Sequence, residues 1–191
     1  MKRFTGLIII AALLVAGNVF AQDDADDTHD VSFTIPEVAL LDIETAGSKD
    51  IAFTVTAPTE AGEPATIGSP TNNSLWLNIT SIIAAAPDDS RSISAQITTG
   101  SMPGGLDLQV QAADDAGNGD GDAGSAGAAA TLDGGASHDL VTGIGSIYTA
   151  DGASNGYQLT YTLSFESDAF EDLDNSESGG SVTVTYTLSD N

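Results

Sequence analysis

The sequence contains no cysteine. This absence excludes disulfide bonds, thiolate metal sites, cysteine nucleophiles and the lipid-modified N-terminal cysteine of a bacterial lipoprotein. A chain of 191 residues without disulfides depends on a hydrophobic core for its stability, and this length is sufficient to build one.

Basic residues are nearly absent as well. Four Lys and Arg stand against 28 Asp and Glu, which gives a formal net charge of −24 at pH 7. Such a charge repels phosphates and anionic lipid surfaces, so nucleic-acid binding and stable membrane insertion of the mature chain are not expected. Two explanations of the acidity stay open: solubility in a saline medium that screens self-repulsion, or a specific role in cation binding.

The N-terminus has the layout of a signal peptide. Lys2 and Arg3 precede an apolar stretch over residues 7–15, and the small residues Val19 and Ala21 occupy the positions of a cleavage site. The sequence therefore predicts a signal peptide over residues 1–21 and a mature chain that begins at Gln22. An uncleaved anchor is the alternative, but the apolar stretch is short for a membrane span. The expected location is secreted or at the cell surface, with the periplasm as the other option.

The rest of the chain indicates one domain after an acidic leader. Residues 22–30 carry five aspartates and no large apolar side chain, so they are predicted to be disordered, and residues 31–191 form the domain. Apolar and polar residues alternate with a period of two in short segments, and no segment after the signal peptide has a helical period. The predicted strands lie near residues 31–35, 38–43, 51–56, 75–80, 93–97, 106–110, 157–165 and 182–188.

About eight or nine short strands separated by turn signals predict an all-β fold, an antiparallel β-sandwich of the Ig-like or fimbrial-subunit-like kind. Residues 113–136 are mostly Gly, Ala and Asp and are expected to form a long exposed loop. A short pair of weak strands near residues 128–132 is the alternative.

No arrangement of residues predicts catalysis. The chain has only two histidines, His29 in the leader and His138 beside Asp139, and no nucleophile elbow. Paired carboxylates of the glycosidase kind carry no information in a chain with so many acids. The sequence therefore predicts no catalytic residue and no bound cofactor.

Oxygen donors at alternate positions in the loop over residues 113–136 make a candidate calcium site. The donors are Asp114, Asp115, Asn118, Asp120 and Asp122. The run departs from an EF-hand loop, because Ala123 and Ala129 occupy the positions of the required glycine and bidentate acid. A looser site here, or around residues 171–177, competes with a simply solvated acidic loop.

Trp76 is the one large apolar residue that a one-sided strand does not explain, since it alternates with the apolar Leu75 and Leu77. Two interpretations stay open. Its strand is central and covered on both faces, or Trp76 is an exposed platform for a sugar or a protein partner.

Several segments carry a family resemblance: WLNITS (76–81), MPGGLDLQV (102–110), VTGIGSIYTADGASNGYQLTYTLSF (141–165) and the terminal VTVTYTLSDN. They resemble a group of uncharacterised secreted proteins of environmental Gram-negative bacteria. More loosely, the layout resembles the β-sandwich subunits of the fimbrial and spore-coat-U type, although the disulfide of that family is missing here. That resemblance implies self-association or association with other surface proteins by strand addition, with residues 31–35 or the terminal strand as the exchanged piece.

The expected function is therefore a secreted structural or surface-interaction protein, fimbria-like and without catalytic activity. An extracellular carbohydrate- or calcium-binding module is the alternative.

Overall fold

The computed structural model describes residues 26–87 and 89–191. The predicted signal peptide and residues 22–25 of the leader lie outside the described residues. The chain divides into two units, residues 1–34 and 35–191. In the first unit, residues 26–34 contain no helix or strand and all their side chains are exposed.

The second unit is all-β, and its sheets are antiparallel. Seven strands have seven or more residues: β1 (Val38–Glu44), β4 (Thr71–Ile82), β5 (Arg91–Thr99), β6 (Leu106–Asp115), β10 (His138–Ile144), β12 (Tyr157–Phe165) and β13 (Thr183–Asp190). Six strands have two residues: β2 (Val55–Thr56), β3 (Thr66–Ile67), β7 (Asp120–Gly121), β8 (Ser125–Ala126), β9 (Ala130–Thr131) and β11 (Ile147–Tyr148). Two 3-10 turns, Phe170–Asp172 and Asn175–Glu177, precede β13.

Two main sheets make a sandwich-like core. The larger sheet runs β7-β11-β4-β12-β6-β9, with β1 paired to the other edge of β4, and the smaller sheet runs β13-β5-β10-β8. A separate hairpin joins β2 and β3. Alternate residues of the long strands are buried in one apolar cluster, which includes Leu77, Ile93, Val110, Val141 and Leu159. The predicted antiparallel β-sandwich is confirmed, because the two sheets pack their apolar faces together in one core.

In β12 the alternation of apolar and polar residues in the sequence matches the alternation of buried and partly exposed side chains. Tyr157, Leu159, Tyr161 and Leu163 are all buried, whereas the residues between them are partly exposed. Gly156 precedes this strand with φ +68°, and a Cβ there would lie 2.0 Å from the Leu77 carbonyl oxygen. Only glycine therefore allows the chain to enter β12 so close to β4.

The structure differs from the sequence analysis at several strands. Residues 31–35 are not in a strand, and only Val55 and Thr56 of the predicted strand 51–56 are. Conversely, β10 lies in the core, although its sequence HDLVTGI has no regular alternation. Its ladder with β5 is interrupted by register shifts, which let Leu140, Val141 and Ile144 all become buried.

The Gly/Ala/Asp-rich segment 113–136 is partly ordered into sheets. The strand β6 continues to Asp115, and β7, β8 and β9 each add two residues to a sheet edge. Most of the segment is exposed, but Leu132 is only 2% exposed and belongs to the core. Among the described residues, no helix is long and apolar enough to cross a membrane.

Candidate functional site

The outer edge of β13 is the first candidate for an interaction site. Within residues 26–87 and 89–191, β13 pairs with β5 alone. In an antiparallel ladder, alternate residues direct both backbone groups away from the partner strand. An eight-residue edge with free N–H and C=O groups can therefore accept a further strand.

This edge lacks the devices that usually prevent edge pairing. Residues 183–189 contain no charged residue and no proline in a chain with 28 acidic residues. The side chains of Val184, Tyr186 and Leu188 are partly buried and pack against the core, whereas the threonines between them are exposed. The Thr185 and Thr98 hydroxyls lie 2.8 Å apart on the outer face, which aligns β13 with β5.

The second candidate is the extension before β1, residues 31–35. Val31, Phe33 and Ile35 are 63%, 84% and 78% exposed, respectively. Three large apolar side chains at alternate positions in a segment without charge are the pattern of a strand that lacks its partner sheet. Exposed apolar side chains grouped in this way make residues 31–35 a candidate interaction segment.

Arg91 holds the start of β1 to the end of β13. Its side chain is 2% exposed, and Nε lies 2.7 Å from an Asp190 carboxylate oxygen. Its terminal nitrogens donate to the Glu37 carboxylate, the Val38 carbonyl oxygen and the Ser81 hydroxyl. A planar guanidinium has enough donors to serve these acceptors together, which a lysine does not. Arg91 therefore connects β1, an edge strand of the larger sheet, to β13, an edge strand of the smaller sheet.

The candidate calcium ligands are mostly engaged with their own loop. Asp115 accepts from the Gly117 N–H at 2.9 Å, Asp122 from the Gly124 N–H at 3.2 Å, and Asp114 from the Ala126 N–H at 3.2 Å. The Asp115 and Asp122 bonds satisfy backbone donors two residues on in tight turns, as aspartate side chains commonly do, whereas the Asp114 bond joins the end of β6 to β8.

The other two candidate ligands lie on different elements. Asp120 is in β7, and the Asn118 side-chain amide donates to Asn155 Oδ1 at 2.9 Å and to the Ser154 carbonyl oxygen at 3.2 Å. In the described part of the chain, no three His, Cys, Asp or Glu side chains are grouped so as to hold a metal ion. The calcium site stays a prediction, and the observed hydrogen bonds favour a structural role for these side chains.

Because the candidate calcium ligands are engaged in these hydrogen bonds, we expect salt to change the stability of the domain only through ionic strength. We expect the melting temperature to rise smoothly with NaCl as self-repulsion is screened, and millimolar CaCl2 to add little at matched ionic strength. Thermal melts of residues 22–191 in both salts measure it. A saturable calcium-dependent rise that Asp120→Ala with Asp122→Ala removes would contradict it. The control variant, Glu60→Ala with Glu63→Ala, removes the same charge from another exposed loop.

Trp76 lies on a central strand, since it pairs with Glu44 of β1 on one side and Gln158 of β12 on the other. Its neighbours Leu75 and Leu77 are buried in the core, so Trp76 projects from the opposite, outer face. There its side chain is partly buried. On this face it lies between Glu44 and Gln158. The role of Trp76 as a platform for a sugar or a protein partner stays a prediction.

His138 begins β10 and its Nε2 lies 3.6 Å from an Asp133 carboxylate oxygen. A hydrogen bond from the Ala136 N–H, together with His138, lowers the pKa of the Asp133 carboxyl. His29 lies in the exposed leader.

The sequence analysis did not single out Arg91. A signal for it was present, because Lys49 and Arg91 are the only basic residues after the predicted cleavage site. Lys49 forms an exposed ion pair with Asp42 at 3.1 Å, whereas Arg91 is buried, and alternation alone does not distinguish the two.

Comparisons with protein-family models, with curated proteins and with solved structures found no match for this chain.

Proposed function

We propose that this chain is a secreted structural or surface-interaction protein, a fimbria-like subunit without catalytic activity, which associates with other copies by strand addition. The observation that supports the proposal most directly is the edge of β13, which carries no charge over residues 183–189 and pairs with β5 alone among residues 26–87 and 89–191. Elsewhere the surface charge keeps copies apart, so an uncharged edge is where backbone pairing between two copies meets least repulsion.

The added strand in this proposal is the extension of a second copy. Residues 31–35 supply five residues in which Val31, Phe33 and Ile35 share one face and Ser32 and Thr34 share the other. Backbone hydrogen bonds to the free edge would provide affinity, and burial of the three apolar side chains would add a hydrophobic contribution. The donor and the acceptor are both uncharged, which suits pairing between two acidic molecules.

The proposal predicts concentration-dependent assembly of residues 22–191, measured by light scattering after size exclusion and by electron microscopy. Phe33→Ser should reduce assembly without lowering the melting temperature, because Phe33 is 84% exposed. Thr34→Ser is the matched control on the other face of the segment and should assemble as the unmodified chain does.

The acceptor edge has its own test. Thr187→Lys places a charge on β13 and should reduce assembly, since lysine on an edge strand opposes pairing. Thr98→Lys places the same charge on the same outer face but on the inner strand β5, and it should have the smaller effect. A chain that stays monomeric at high concentration, or assembly that neither Phe33→Ser nor Thr187→Lys alters, would refute strand addition.

A further inference from the structure

A groove opens on the outer face of the larger sheet, whereas β13 belongs to the smaller sheet. Leu40 of β1 and Tyr148 of β11 both lie opposite Thr80 of β4, on its two sides. Residues opposite one another in antiparallel ladders point to the same face, so these three side chains form a row about 10 Å across. Leu40 is 63% exposed and Tyr148 is 53% exposed.

The groove has a volume of about 520 Å³, and its lining is completed by Leu41, Asp42, Asn78, Ile79, Ala150 and Asp151. This volume lies in the range of sites for small molecules rather than of protein interfaces, which are flatter and larger. A small ligand is therefore the occupant that the dimensions favour.

One wall of the groove is a loop that hydrogen bonds hold in place. The Asn78 side chain donates to the Asn155 carbonyl oxygen at 2.7 Å and accepts from the Gly152 N–H at 2.7 Å. The fully buried Thr149 accepts from the Ile79 N–H at 2.9 Å through its hydroxyl. Ala150 at the wall has φ +67°, a strained conformation for a residue other than glycine. A wall fixed in this way is ready for a ligand without a large ordering cost.

The chemistry of the lining combines an apolar strip with hydrogen-bonding groups at its rim. Tyr148 and Leu40 form the strip, and the Asp42 and Asp151 carboxylates and the Thr80 hydroxyl stand around it. Lys49 adds a donor beside Asp42, with Nζ 3.1 Å from its carboxylate oxygen. A complementary ligand presents an apolar face to the strip and hydroxyl groups to the acceptors around it.

From this arrangement we propose that the groove is a glycan-binding site for sugar units that carry no acidic group. The carbon-bound hydrogens of a pyranose ring would pack on Tyr148, and its hydroxyls would donate to the carboxylates at the rim. The Asp151 carboxylate, which has no cationic partner among the described residues, and the net charge of −24 repel uronic acids, sialic acids and phosphates. This inference goes beyond the proposed structural role, because it gives the subunit a ligand on a face that strand addition leaves free.

The test is a printed array of neutral and acidic glycans probed with residues 22–191, followed by a titration of the strongest binder. We expect binding to neutral glycans only, with NMR shifts at the amides of Leu40, Thr80 and Tyr148. Tyr148→Ala should weaken binding about tenfold through loss of the aromatic contact, while Tyr148→Phe should retain most of it.

Two control variants locate the site. Phe170→Ala removes an aromatic residue of similar exposure, 55%, outside the groove and should bind as the unmodified chain does. Trp76→Ala should also retain binding, because Trp76 does not line the groove. Absence of binding to every neutral glycan, equal binding by Tyr148→Ala, or loss of binding in Trp76→Ala instead would overturn the proposal.

Discussion

Replacing Arg91 by methionine is expected to lower the free energy of unfolding by about 1–3 kcal/mol for each buried acceptor that loses its donor, whereas the half-exposed Glu37 and Asp190 carboxylates can be hydrated. Methionine retains apolar volume but leaves the Val38 carbonyl oxygen and the Ser81 hydroxyl without their charged donor. It also removes the guanidinium group that bridges the Glu37 and Asp190 carboxylates, so the start of β1 and the end of β13 lose their shared ion-pair partner. Urea unfolding at pH 7 followed by circular dichroism measures the change.

Lys49→Met is the matched control for this prediction. It removes the same unit of positive charge from the same acidic chain, but Lys49 forms an exposed ion pair, which contributes little. Equal losses in the two variants would show that Arg91 acts through net charge alone. Arg91→Lys should be intermediate, because an ammonium group keeps the charge but has fewer donors in a different geometry.

Alkaline unfolding is the second large effect that we expect. Burial raises the pKa of Tyr157, and the nearby Asp115 and Asp122 charges raise it further. Burial also raises the pKa values of Tyr161 and Tyr186, whose hydroxyl oxygens lie 2.5 Å apart between the two sheets. In each case the folded state holds its proton more tightly than the unfolded chain does.

The sign follows from this difference in proton binding. Below the unfolded pKa near 10, all three tyrosines are protonated in both states and their contribution to stability is complete. Above it, the unfolded chain releases protons that the folded chain retains, so each tyrosine lowers the free energy of unfolding by about 1.4 kcal/mol per pH unit. Each group contributes this slope only up to its own folded-state pKa, so the free energy of unfolding falls steadily above pH 10 by at least about 1.4 kcal/mol per pH unit, with Tyr157 as one contributor.

Stability measured in urea at several pH values between 9 and 12 checks this slope. Tyr157→Phe removes one of the three groups, so we expect the fall in stability with pH to become less steep by about 1.4 kcal/mol per pH unit at most. An unchanged slope in that variant would show that other groups cause the alkaline unfolding. Tyr157→Phe also leaves the Ala123 carbonyl oxygen without its donor, which lowers stability equally at all pH values.

Much of the fold was predictable from periodicity. The regular alternation in residues 157–165 and 182–188 matched β12 and β13 closely, because one face of each strand meets the core and the other meets solvent. Alternation failed for β10, where bulges bring Leu140 and Val141, adjacent in sequence, into the core together. It also failed for residues 31–35, where the alternating pattern is present but no strand is formed.

The candidate sites were less predictable because they depend on contacts between distant segments. The acidic loop had suitable spacing for a cation, but its carboxylates are bound to N–H groups of local turns whose geometry the spacing does not specify. The groove depends on Leu40, Thr80 and Tyr148, which are separated by 40 and 68 positions in the chain. Their proximity is a consequence of strand order, which no local pattern contains.

By itself, the sequence determined the all-β class, the absence of disulfides, the strong acidity and most of the long strands, since these follow from composition and local alternation. The tertiary structure decided which strand edges are free, which of the two basic residues is buried and which side chains share the outer face of the larger sheet. The physical reason is that period-two alternation specifies the two faces of a strand but not its neighbours. Pairing and register, set by the packing of the whole core, bring together the residues of any site.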